Sequence, residues 1–392
     1  MVSSPRADAV TADRVLVLHS NDPDTEEAVL ELLAAADEQL AGASPVAIVV
    51  FAGIDADHEH LVAALADRFG DVPLVGCTTD GEMSSAQSFQ EDSIALMLFV
   101  GDGIVARAAV ARDLADPVAA AQQLLADAAF PGAPKVCLAL PESLDVDALA
   151  LVEALGAALP PGVALVGGTA GDQWRFHRTR QLCGREVFDH TMPILLLGGD
   201  IEVGVGVASG WTPLGRVGKV TRAEGPVVHE VDGQPAMAFY REYHGHHVEP
   251  NPEFPTLVLE GDDDQGYLRA PFRYDADTGA VIYTAAVPEG AGIQVTTAPT
   301  SDILQACRHS VAQATAGAGR AFAAIAVSCA ARKQILGTRT REECTILRDA
   351  LGDDVPVIGF YSYGEIAPLA GRSRADFHNE TFVTLVLRSA ER

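Results

Sequence analysis

The chain has 392 residues, 48% of them hydrophobic, and a formal net charge of −27 from 54 acidic and 27 basic residues. This length and composition exclude a disordered protein and predict a large core spread over more than one domain. The excess of negative charge excludes nucleic acid and anionic membranes as partners bound through the overall electrostatic field.

The cysteines and the apolar segments indicate a cytoplasmic protein. No CxxC pair occurs among the six cysteines, so the sequence predicts neither a disulfide framework nor a zinc site. The longest apolar runs, 94–100 and 194–197, are far shorter than the roughly 20 residues that cross a bilayer. Residues 1–14 lack the apolar region of a signal peptide, and we predict a disordered tail there.

Periodic apolar segments predict three units of alternating strands and helices. The first unit follows a strand at 15–19 and a helix at 24–40, and has a strand at 46–51, a helix at 57–69, a strand and turn at 73–82 and a strand at 93–100. The second unit, after a helix that begins at Asp116-Pro117, has the corresponding elements at 135–140, 145–159, 164–172 and 192–197. The third unit, after a helix capped by Ser301, has them at 322–328, 340–351, 356–368 and 381–387, with a capping box at Thr340–Glu343.

The strand and turn of each unit end in a carboxylate. Segments 73–82 and 356–368 align in register, so that Glu82 matches Glu365, and segment 164–172 is a shorter version that ends in Asp172. The helix between the first two strands favours parallel pairing, and the direct connection to the last strand allows it to pair antiparallel with the strand before it. We therefore predict an α/β fold of mixed sheets covered by helices, built from three repeated strand-helix-strand-strand units with pseudo-symmetric halves.

The region between the second and third units has a different pattern. Gly and Val alternate over 203–208, strand-like runs surround Val217 to Val231, and a short helix is predicted at 235–243. Residues 251–297 are rich in Pro, Gly, Asp and β-branched residues, which predicts an antiparallel meander with a hairpin turn at 277–279.

Six segments together carry a family resemblance: VGCTTDGE (75–82), VGGTAGD (166–172), the long segment from GWTPLG to REYHG (210–245), SCAARKQILGTR (328–339), GFYSYGEIAP (359–368) and FHNETFVTLVL (377–387). They resemble the FIST family, a sensory module of bacterial signal transduction proteins with an N-terminal and a C-terminal domain in tandem. The resemblance covers about residues 25 to 388 and implies an N-terminal domain at 15–225 and a C-terminal domain at 226–392.

The resemblance also implies a function. Members are thought to bind small ligands, which implies a sensor for an amino acid or a similar small polar metabolite. Some members bind haem and sense nitric oxide, so haem is an alternative ligand here, with His177, His229 and His378 as possible axial residues. FIST domains are often fused to output modules, whereas this sequence ends at Arg392, so we expect a separately encoded signalling partner of the kinase or cyclase type.

The residue types at the turns suit amino-acid recognition. A free amino acid needs a carboxylate for its ammonium group, and Arg or several N–H donors for its carboxylate. Hydroxyls, glycines and carboxylates at the turns, with the nearest cations, supply these groups. The candidate ligand-binding residues are Cys77, Thr78, Thr79, Glu82, Gly168, Thr169, Asp172, Arg222, Arg332, Tyr361, Ser362, Tyr363, Glu365 and Asn379.

Each candidate has a structural alternative. A Gly-Glu turn often uses its carboxylate to bond nearby backbone N–H groups. Cys77 would need a histidine base to act as a nucleophile, and a buried thiol is the simpler interpretation; an enzyme using Cys77, or Glu82 with Glu365, is a further hypothesis. The histidines of HGHH (244–247) fit a surface loop better than a metal site, and GGTAGD lacks the features of a P-loop. We predict no metal and, apart from the haem alternative, no cofactor.

Overall fold

The computed structural model describes residues 13–245, 247–261, 266–368 and 375–390. The chain is a mixed α/β protein in which helices cover mixed sheets, as predicted. The predicted disordered tail falls almost wholly on residues 1–12, which lie outside the described residues.

Eight α-helices occur in the described residues. They are α1 (Thr25–Leu40), α2 (His58–Phe69), α3 (Pro117–Ala128), α4 (Ala148–Ala158), α5 (Ala236–His244), α6 (Thr300–Thr315), α7 (Ala330–Leu336) and α8 (Arg341–Leu351). Across these described segments, no helix combines the length and the hydrophobicity needed to span a membrane.

The strands number 27 over the same ranges. Those before residue 210 are β1 (Arg14–Ser20), β2 (Ala47–Ala52), β3 (Leu74–Thr78), β4 (Glu82–Ser84), β5 (Ser88–Gln90), β6 (Ile94–Val100), β7 (Ile104–Ala111), β8 (Val136–Ala139), β9 (Ala164–Gly168), β10 (Gln181–Cys183), β11 (Glu186–Phe188), β12 (Met192–Gly199) and β13 (Ile201–Ala208). The later ones are β14 (Thr212–Pro213), β15 (Gly218–Glu224), β16 (Val227–Val231), β17 (Gln234–Pro235), β18 (Thr256–Leu259), β19 (Tyr267–Arg269), β20 (Pro271–Tyr274), β21 (Val281–Tyr283), β22 (Gly292–Thr297), β23 (Ala321–Cys329), β24 (Val357–Ser362), β25 (Glu365–Pro368), β26 (Ala375–His378) and β27 (Phe382–Ser389).

Three six-stranded sheets share one strand order. Sheet I is β1-β6-β2-β3-β10-β11, sheet II is β7-β12-β8-β9-β25-β26, and sheet III is β13-β27-β23-β24-β4-β5. The pairs joined through helices, β2 with β3, β8 with β9 and β23 with β24, are parallel, which confirms that prediction. The last strand of each unit is antiparallel but pairs with the first two strands of its sheet, so the predicted pairing with the strand before it is wrong.

Exchanged hairpins explain this difference. The open edge of β3 is paired with the hairpin β10–β11, the edge of β24 with β4–β5, and the edge of β9 with β25–β26. Each hairpin leaves its own unit and completes the sheet of another, so the last strand cannot occupy that edge. The sequence does not predict these hairpins, because each of their strands has only three or four residues.

The inner faces of the three sheets pack on one another in a single core. Its members include Val49 and Phe51 of sheet I, Leu138 of sheet II, and Ile325 and Phe360 of sheet III. The rings of Phe51 and Phe360 lie 4.3 Å apart. The outer faces are covered separately, by α1 and α2 on sheet I, α3 and α4 on sheet II, and α6 and α8 on sheet III.

A fourth, antiparallel sheet interrupts the third unit. Its strands run from β14 to β22, pack with α5 around their own small core, and lie between β13 and α6 in the chain. We call residues 211–297 the inserted domain. It is attached to sheet II at β26, where Arg269 Nη1 donates to the carbonyl oxygen of Phe377 at 3.1 Å.

Two predicted helix caps are wrong. Thr340 has helical backbone angles (φ −51°, ψ −37°), because a 3-10 turn at Gly337–Arg339 leads directly from α7 into α8, and its hydroxyl donates to Gly337 instead. Ser301 lies inside α6, which begins at Thr300 after Pro299. The predicted start at Asp116-Pro117 is confirmed, since the Asp116 carboxylate accepts from two N–H groups of α3.

Buried side chains fasten each exchanged hairpin. Glu82, the first residue of β4, accepts a hydrogen bond from the Thr79 hydroxyl. It also accepts from the hydroxyl and the N–H of Ser93, at 2.5 and 3.3 Å, directly before β6. Burial raises the pKa of Glu82 to about 7, although these donors oppose the shift.

Glu365, the first residue of β25, repeats this arrangement. Its carboxylate accepts from the Ser362 hydroxyl at 2.8 Å, and from the hydroxyl and N–H of Thr381 at 2.9 and 3.0 Å. Burial raises its pKa to about 7 as well.

In the second unit the equivalent residue is Gln181, the first residue of β10. Its Oε1 accepts from the N–H and hydroxyl of Thr191 at 3.2 and 3.4 Å, and its Nε2 donates to Thr179 at 3.0 Å. The sequence alignment matched Asp172 with the two glutamates; by position in the hairpin, the match is Gln181. A neutral amide therefore performs the same task in one of the three copies.

This equivalence predicts that Glu82→Gln and Glu365→Gln fold and gain stability at pH 8. An acid whose pKa is raised on folding stabilises the protein below its unfolded pKa of about 4.3, and that contribution is lost as pH rises through about 7. Chemical denaturation should show each variant more stable than the parent at pH 8, by on the order of 1–3 kcal/mol, with a flatter pH profile.

The matched control is Gln181→Glu, which places a carboxylate in the third copy. Its stability should fall more steeply between pH 5 and 8 than that of the parent. Glutamine variants that lose stability at pH 8 and keep the parent's pH profile would contradict the assignment.

Candidate functional site

The three turns meet at one end of the shared core. Hydrogen bonds between backbone groups of different units join them: Asp80 N to Tyr361 O (2.9 Å), Gly171 N to Thr78 O (2.9 Å) and Thr169 N to Gly364 O (2.8 Å). The approach is so close that a Cβ atom on Gly168 would lie 2.6 Å from a methyl of Val327. Glycine is required there because it alone leaves this space.

A cleft opens between the turns and the inserted domain. We call it the outer cleft; it has a volume of about 630 Å3. Its walls are the start of α4 with the preceding loop (143–149), the turn residues Thr169 and Tyr363, and residues 283–286 of the inserted domain. A smaller cavity of about 40 Å3, the inner pocket, is lined by Cys329, Glu380, Asn379 and Ser362 among others. Phe176, Phe272, Thr284 and Tyr363 line both.

Aromatic rings form the wall between the two cavities. The Phe176 ring lies 5.0 Å from Tyr363 and 4.8 Å from Phe272 of the inserted domain, and Trp174 lies 6.2 Å from Tyr363. Phe176 has a left-handed backbone (φ +49°), as does Trp174 (φ +61°). Such conformations are costly for bulky residues and need support from neighbouring groups.

Asp172 supplies that support. Its carboxylate accepts from the N–H groups of Phe176, His177 and Arg178 at 2.7–3.0 Å, and from the Tyr363 hydroxyl at 2.6 Å. Burial alone would raise the pKa of Asp172, but these four donors outweigh it and the pKa is lowered. Asp172 therefore shapes the aromatic wall and fixes Tyr363.

Glu380 faces the inner pocket. It is fully buried, has a left-handed backbone (φ +65°), and neither carboxylate oxygen accepts a hydrogen bond from an N–H or O–H group of the described residues. Burial, and then the nearby Glu365, raise the pKa of Glu380 well above its usual value, while Arg332 and the Cys329 thiol oppose the shift.

Asp80 is a buried carboxylate with a cation. Lys333 Nζ lies 2.9 Å from Asp80 Oδ2 and 2.8 Å from a carboxylate oxygen of Glu91. Burial raises the pKa of Asp80 to about 6, and Lys333 opposes the shift. This ion pair connects α7 to the first turn, so Lys333 is already engaged by two carboxylates.

The charged residues that line the two cavities are acidic. Asp145 and Asp147 lie on the wall of the outer cleft and Glu380 on that of the inner pocket, and no Lys or Arg of the described residues lines either cavity. Two hydroxyls of the outer cleft region, Ser143 Oγ and Thr169 Oγ1, are buried and have no hydrogen-bond partner within the described chain.

Four of the predicted site residues line the cavities: Thr169, Ser362, Tyr363 and Asn379. Asn379 also ties the inserted domain to the turns, because its Oδ1 accepts from the Thr284 hydroxyl at 2.8 Å. Gly168, Asp172 and Glu365 lie directly behind this lining, where they position the turns.

The other predicted residues lie elsewhere. Cys77, Thr78, Thr79 and Glu82 are buried within the first turn and strand β3, and the Thr78 hydroxyl accepts from the N–H of Arg180 at 3.0 Å. Burial, with Glu82 as a second cause, raises the pKa of the Cys77 thiol well above its usual value. Arg222 is exposed on β15, 3.4 Å from Glu230.

Arg332 and Tyr361 belong to a buried polar network. Arg332 Nη2 lies 2.6 Å from Glu343 Oε1, and the Tyr361 hydroxyl donates to Glu343 Oε2 at 2.6 Å. Arg332 also donates to the carbonyls of Ser209 and Ile303. Glu343, expected in a capping box, is instead the counter-ion that holds α7, α8 and β24 together.

The residues suggested for metal, haem or catalysis are dispersed. Across the described segments no group of three His, Cys, Asp or Glu side chains has metal-binding geometry, and His246 of HGHH lies outside them. His177 lines the outer cleft, but haem propionates would meet Asp145 and Asp147 there, and no Lys or Arg of the described residues lines the cleft to neutralise them, so this described lining does not fit haem. Glu82 and Glu365 each have their own donors and do not form a catalytic pair.

Sequence reasoning missed Phe176, Phe272, Cys329 and Glu380 as site residues. One signal for Glu380 exists within the chain. Asp92, His190 and Glu380 each precede the hydroxyl residue before a unit's last strand, and all three have a left-handed backbone. Of the three, Glu380 is buried and the other two are exposed.

Comparison with known proteins identifies the family. Residues 46–234 match the FIST N domain and residues 236–368 match the FIST C domain. The chain belongs to the FIST family. FIST domains are associated with sensory signal transduction. The two matches meet at residue 235, inside the inserted domain; the predicted boundary at 225 stays a prediction.

The relatives of this FIST protein extend over most of its length. An uncharacterized protein of Mycobacterium tuberculosis (strain H37Rv) is 27% identical over 378 residues, or 92% of this chain and 96% of the relative. An uncharacterized protein of Mycobacterium bovis is 28% identical over 372 residues, or 90% and 93%. A cyanuric acid hydrolase structure from A. caulinodans has a TM-score of 0.34 at 12% identity, covering 97% of this chain and all of that one, a likeness that says nothing about activity here.

Substitutions at Arg332 and Arg222 test whether the buried network stabilises the fold. Arg332→Met leaves Glu343 buried without its counter-ion, and we expect it to lower the free energy of unfolding by about 3–5 kcal/mol. Arg222→Met removes an exposed pair and should change it by less than about 1 kcal/mol. Denaturant titration at pH 7 measures both; equal small losses would show that the network is not as tightly buried as described.

Proposed function

We propose that this protein is a small-ligand-binding sensory protein whose ligand, an amino acid or a similar small polar metabolite, occupies the outer cleft and the inner pocket. The observation that carries the proposal is the convergence of the turns on a cleft with unused buried polar groups. Glu380, Ser143 and Thr169 each offer atoms without a partner in the described chain. Buried polar groups are normally satisfied, so such atoms favour a missing ligand or water.

The dimensions of the cleft support this proposal. Pockets for small molecules usually measure about 300–1,000 Å3, with mostly apolar walls and a few polar groups that orient the ligand. The outer cleft, of about 630 Å3, lies in this range and has aromatic walls beside its polar groups. A free amino acid would fit with space to spare.

The position of the cleft suggests how binding is reported. Its two walls belong to different parts of the chain, the inserted domain on one side and the second and third units on the other. Hydrogen bonds from Thr284 to Asn379 and from Arg269 to Phe377 join the inserted domain to the third unit. A ligand in contact with both walls stabilises one relative arrangement, and a separate signalling protein of the kinase or cyclase type would recognise that arrangement.

The test is a binding screen with a blocked cleft. Thermal-shift measurements against the standard amino acids and common polar metabolites should identify stabilising compounds, with calorimetry for confirmation. Ala286→Trp places a large ring on the cleft wall and should weaken binding of those compounds at least about tenfold, because it occupies their volume.

The matched control is Ala276→Trp, an exposed alanine of the inserted domain that does not line either cavity. It should bind like the parent. Compounds that bind the parent and Ala286→Trp equally would place the ligand site elsewhere, and a screen without any stabilising compound would remove the support for a metabolite sensor.

A further inference from the structure

We propose that the inner pocket binds a primary ammonium group through the carboxylate of Glu380, so that the ligand is an organic amine without an obligatory carboxylate. The inference rests on the proposed function and names the ligand class of the same site. It follows from the unpartnered state of Glu380, the size of the pocket and the charges around it.

Glu380 differs from the other buried carboxylates at this end of the core in the partners that it has. Glu82, Asp172 and Glu365 each accept three or four hydrogen bonds. Asp80 and Glu343 each have a cation within 3 Å. Glu380 alone, among the buried Asp and Glu of the described residues that face this end of the core, has neither. Leaving a buried carboxylate without such a partner costs several kcal/mol.

The described residues supply Glu380 with no cation of its own. Among the described residues, the cation that acts on Glu380 is Arg332, whose guanidinium is already bound to Glu343. The other charged or titratable groups that act on Glu380 are Glu365, Glu253 and the Cys329 thiol, none of which is a cation. An ammonium ion supplies both the missing positive charge and up to three N–H donors.

The size of the inner pocket limits the kind of ammonium group that it can hold. The inner pocket measures about 40 Å3 and is lined by aromatic and small residues. A water molecule needs about 10–15 Å3 on this measure, so a primary ammonium group fits and a trimethylammonium group does not. The rings of Phe176, Phe272 and Tyr363 line both this pocket and the outer cleft, so they would contact the carbon next to the nitrogen and the body of the ligand.

The charges along the two cavity linings distinguish a simple amine from a zwitterionic amino acid. An amino acid also brings a carboxylate, and binding of that group usually relies on Arg or on a cluster of N–H donors. Among the described residues, no Lys or Arg lines either cavity, and the nearby Asp145 and Asp147 would repel a carboxylate. The two arginines suggested for that role, Arg222 and Arg332, are engaged elsewhere. The acidic linings therefore favour a ligand that has an ammonium group and no carboxylate.

The experiment compares three probes that share an aromatic body. Calorimetry of the full-length protein at pH 7.5 is run with benzylamine, benzyl alcohol and benzyltrimethylammonium. We expect benzylamine to bind at least about tenfold more tightly than the alcohol, which lacks the charge. It should also bind more tightly than the trimethylammonium probe, which is too large for the inner pocket.

Glu380→Gln tests the carboxylate directly. It should remove the preference for benzylamine over benzyl alcohol, whereas Glu186→Gln, an exposed residue paired with Arg112, should keep it. If Glu380→Gln does not fold, the parent provides the readout. Its affinity for benzylamine should rise with pH as Glu380 loses its proton, while its affinity for benzyl alcohol stays constant.

The outcomes distinguish this inference from the proposed function. Equal binding of the three probes, or a benzylamine preference that survives in Glu380→Gln, overturns the ammonium pocket and leaves the sensor proposal standing. If metabolites from the wider screen bind in the cleft but no amine does, the result is the same. If nothing binds in the cleft, both proposals fail.

Discussion

The structure depends on one interaction, the pairing of a short hairpin from each unit with the open edge of another unit's sheet. An unpaired edge exposes a row of N–H and C=O groups and must be covered. Here the cover comes from β10–β11, β4–β5 and β25–β26, each fastened by Gln181, Glu82 or Glu365 to the start of a neighbouring strand. Because the exchange is cyclic, it brings all three turns to the same end of the core.

The candidate site is a consequence of that convergence. At the meeting point most buried carboxylates serve the architecture: Asp172 supports a strained aromatic wall, and Asp80 holds Lys333 of α7. Glu380 has no such structural role. Its buried carboxyl group lines the inner pocket and accepts no hydrogen bond from an N–H or O–H group of the described residues. The inserted domain covers this pocket and contributes Phe272, so ligand contact and domain contact occur at the same place.

Much of the fold was predictable because the strands and helices of the units have strong apolar periodicity. The parallel pairs, the mixed sheets and most helix positions follow from patterns within 10 to 20 residues. The exchanged hairpins did not follow, because strands as short as Gln181–Cys183 carry little pattern and the partners of the three hairpins lie about 100 to 280 residues away. The capping box at Thr340 was wrong because tertiary contact recruits Glu343 to Arg332.

The site was predictable in outline and not in detail. The repeated turns indicated Tyr363 and Asn379, which line the cavities, but repetition also drew attention to Glu82 and Cys77, which are architectural. Local sequence does not show which carboxylate finds a partner in the fold. Glu380 is buried, whereas Asp92 and His190 at the equivalent positions are exposed, and residues of the inserted domain line the pocket that Glu380 faces.

The central claim is that the converging turns form a ligand site centred on Glu380. A crystal structure of the protein grown with benzylamine tests this most directly. We expect electron density for the benzylamine ring in the outer cleft, beside Phe272 and Tyr363, with the nitrogen about 2.7–2.9 Å from a Glu380 oxygen. Density for the amine at another site, with the inner pocket unchanged, would contradict it.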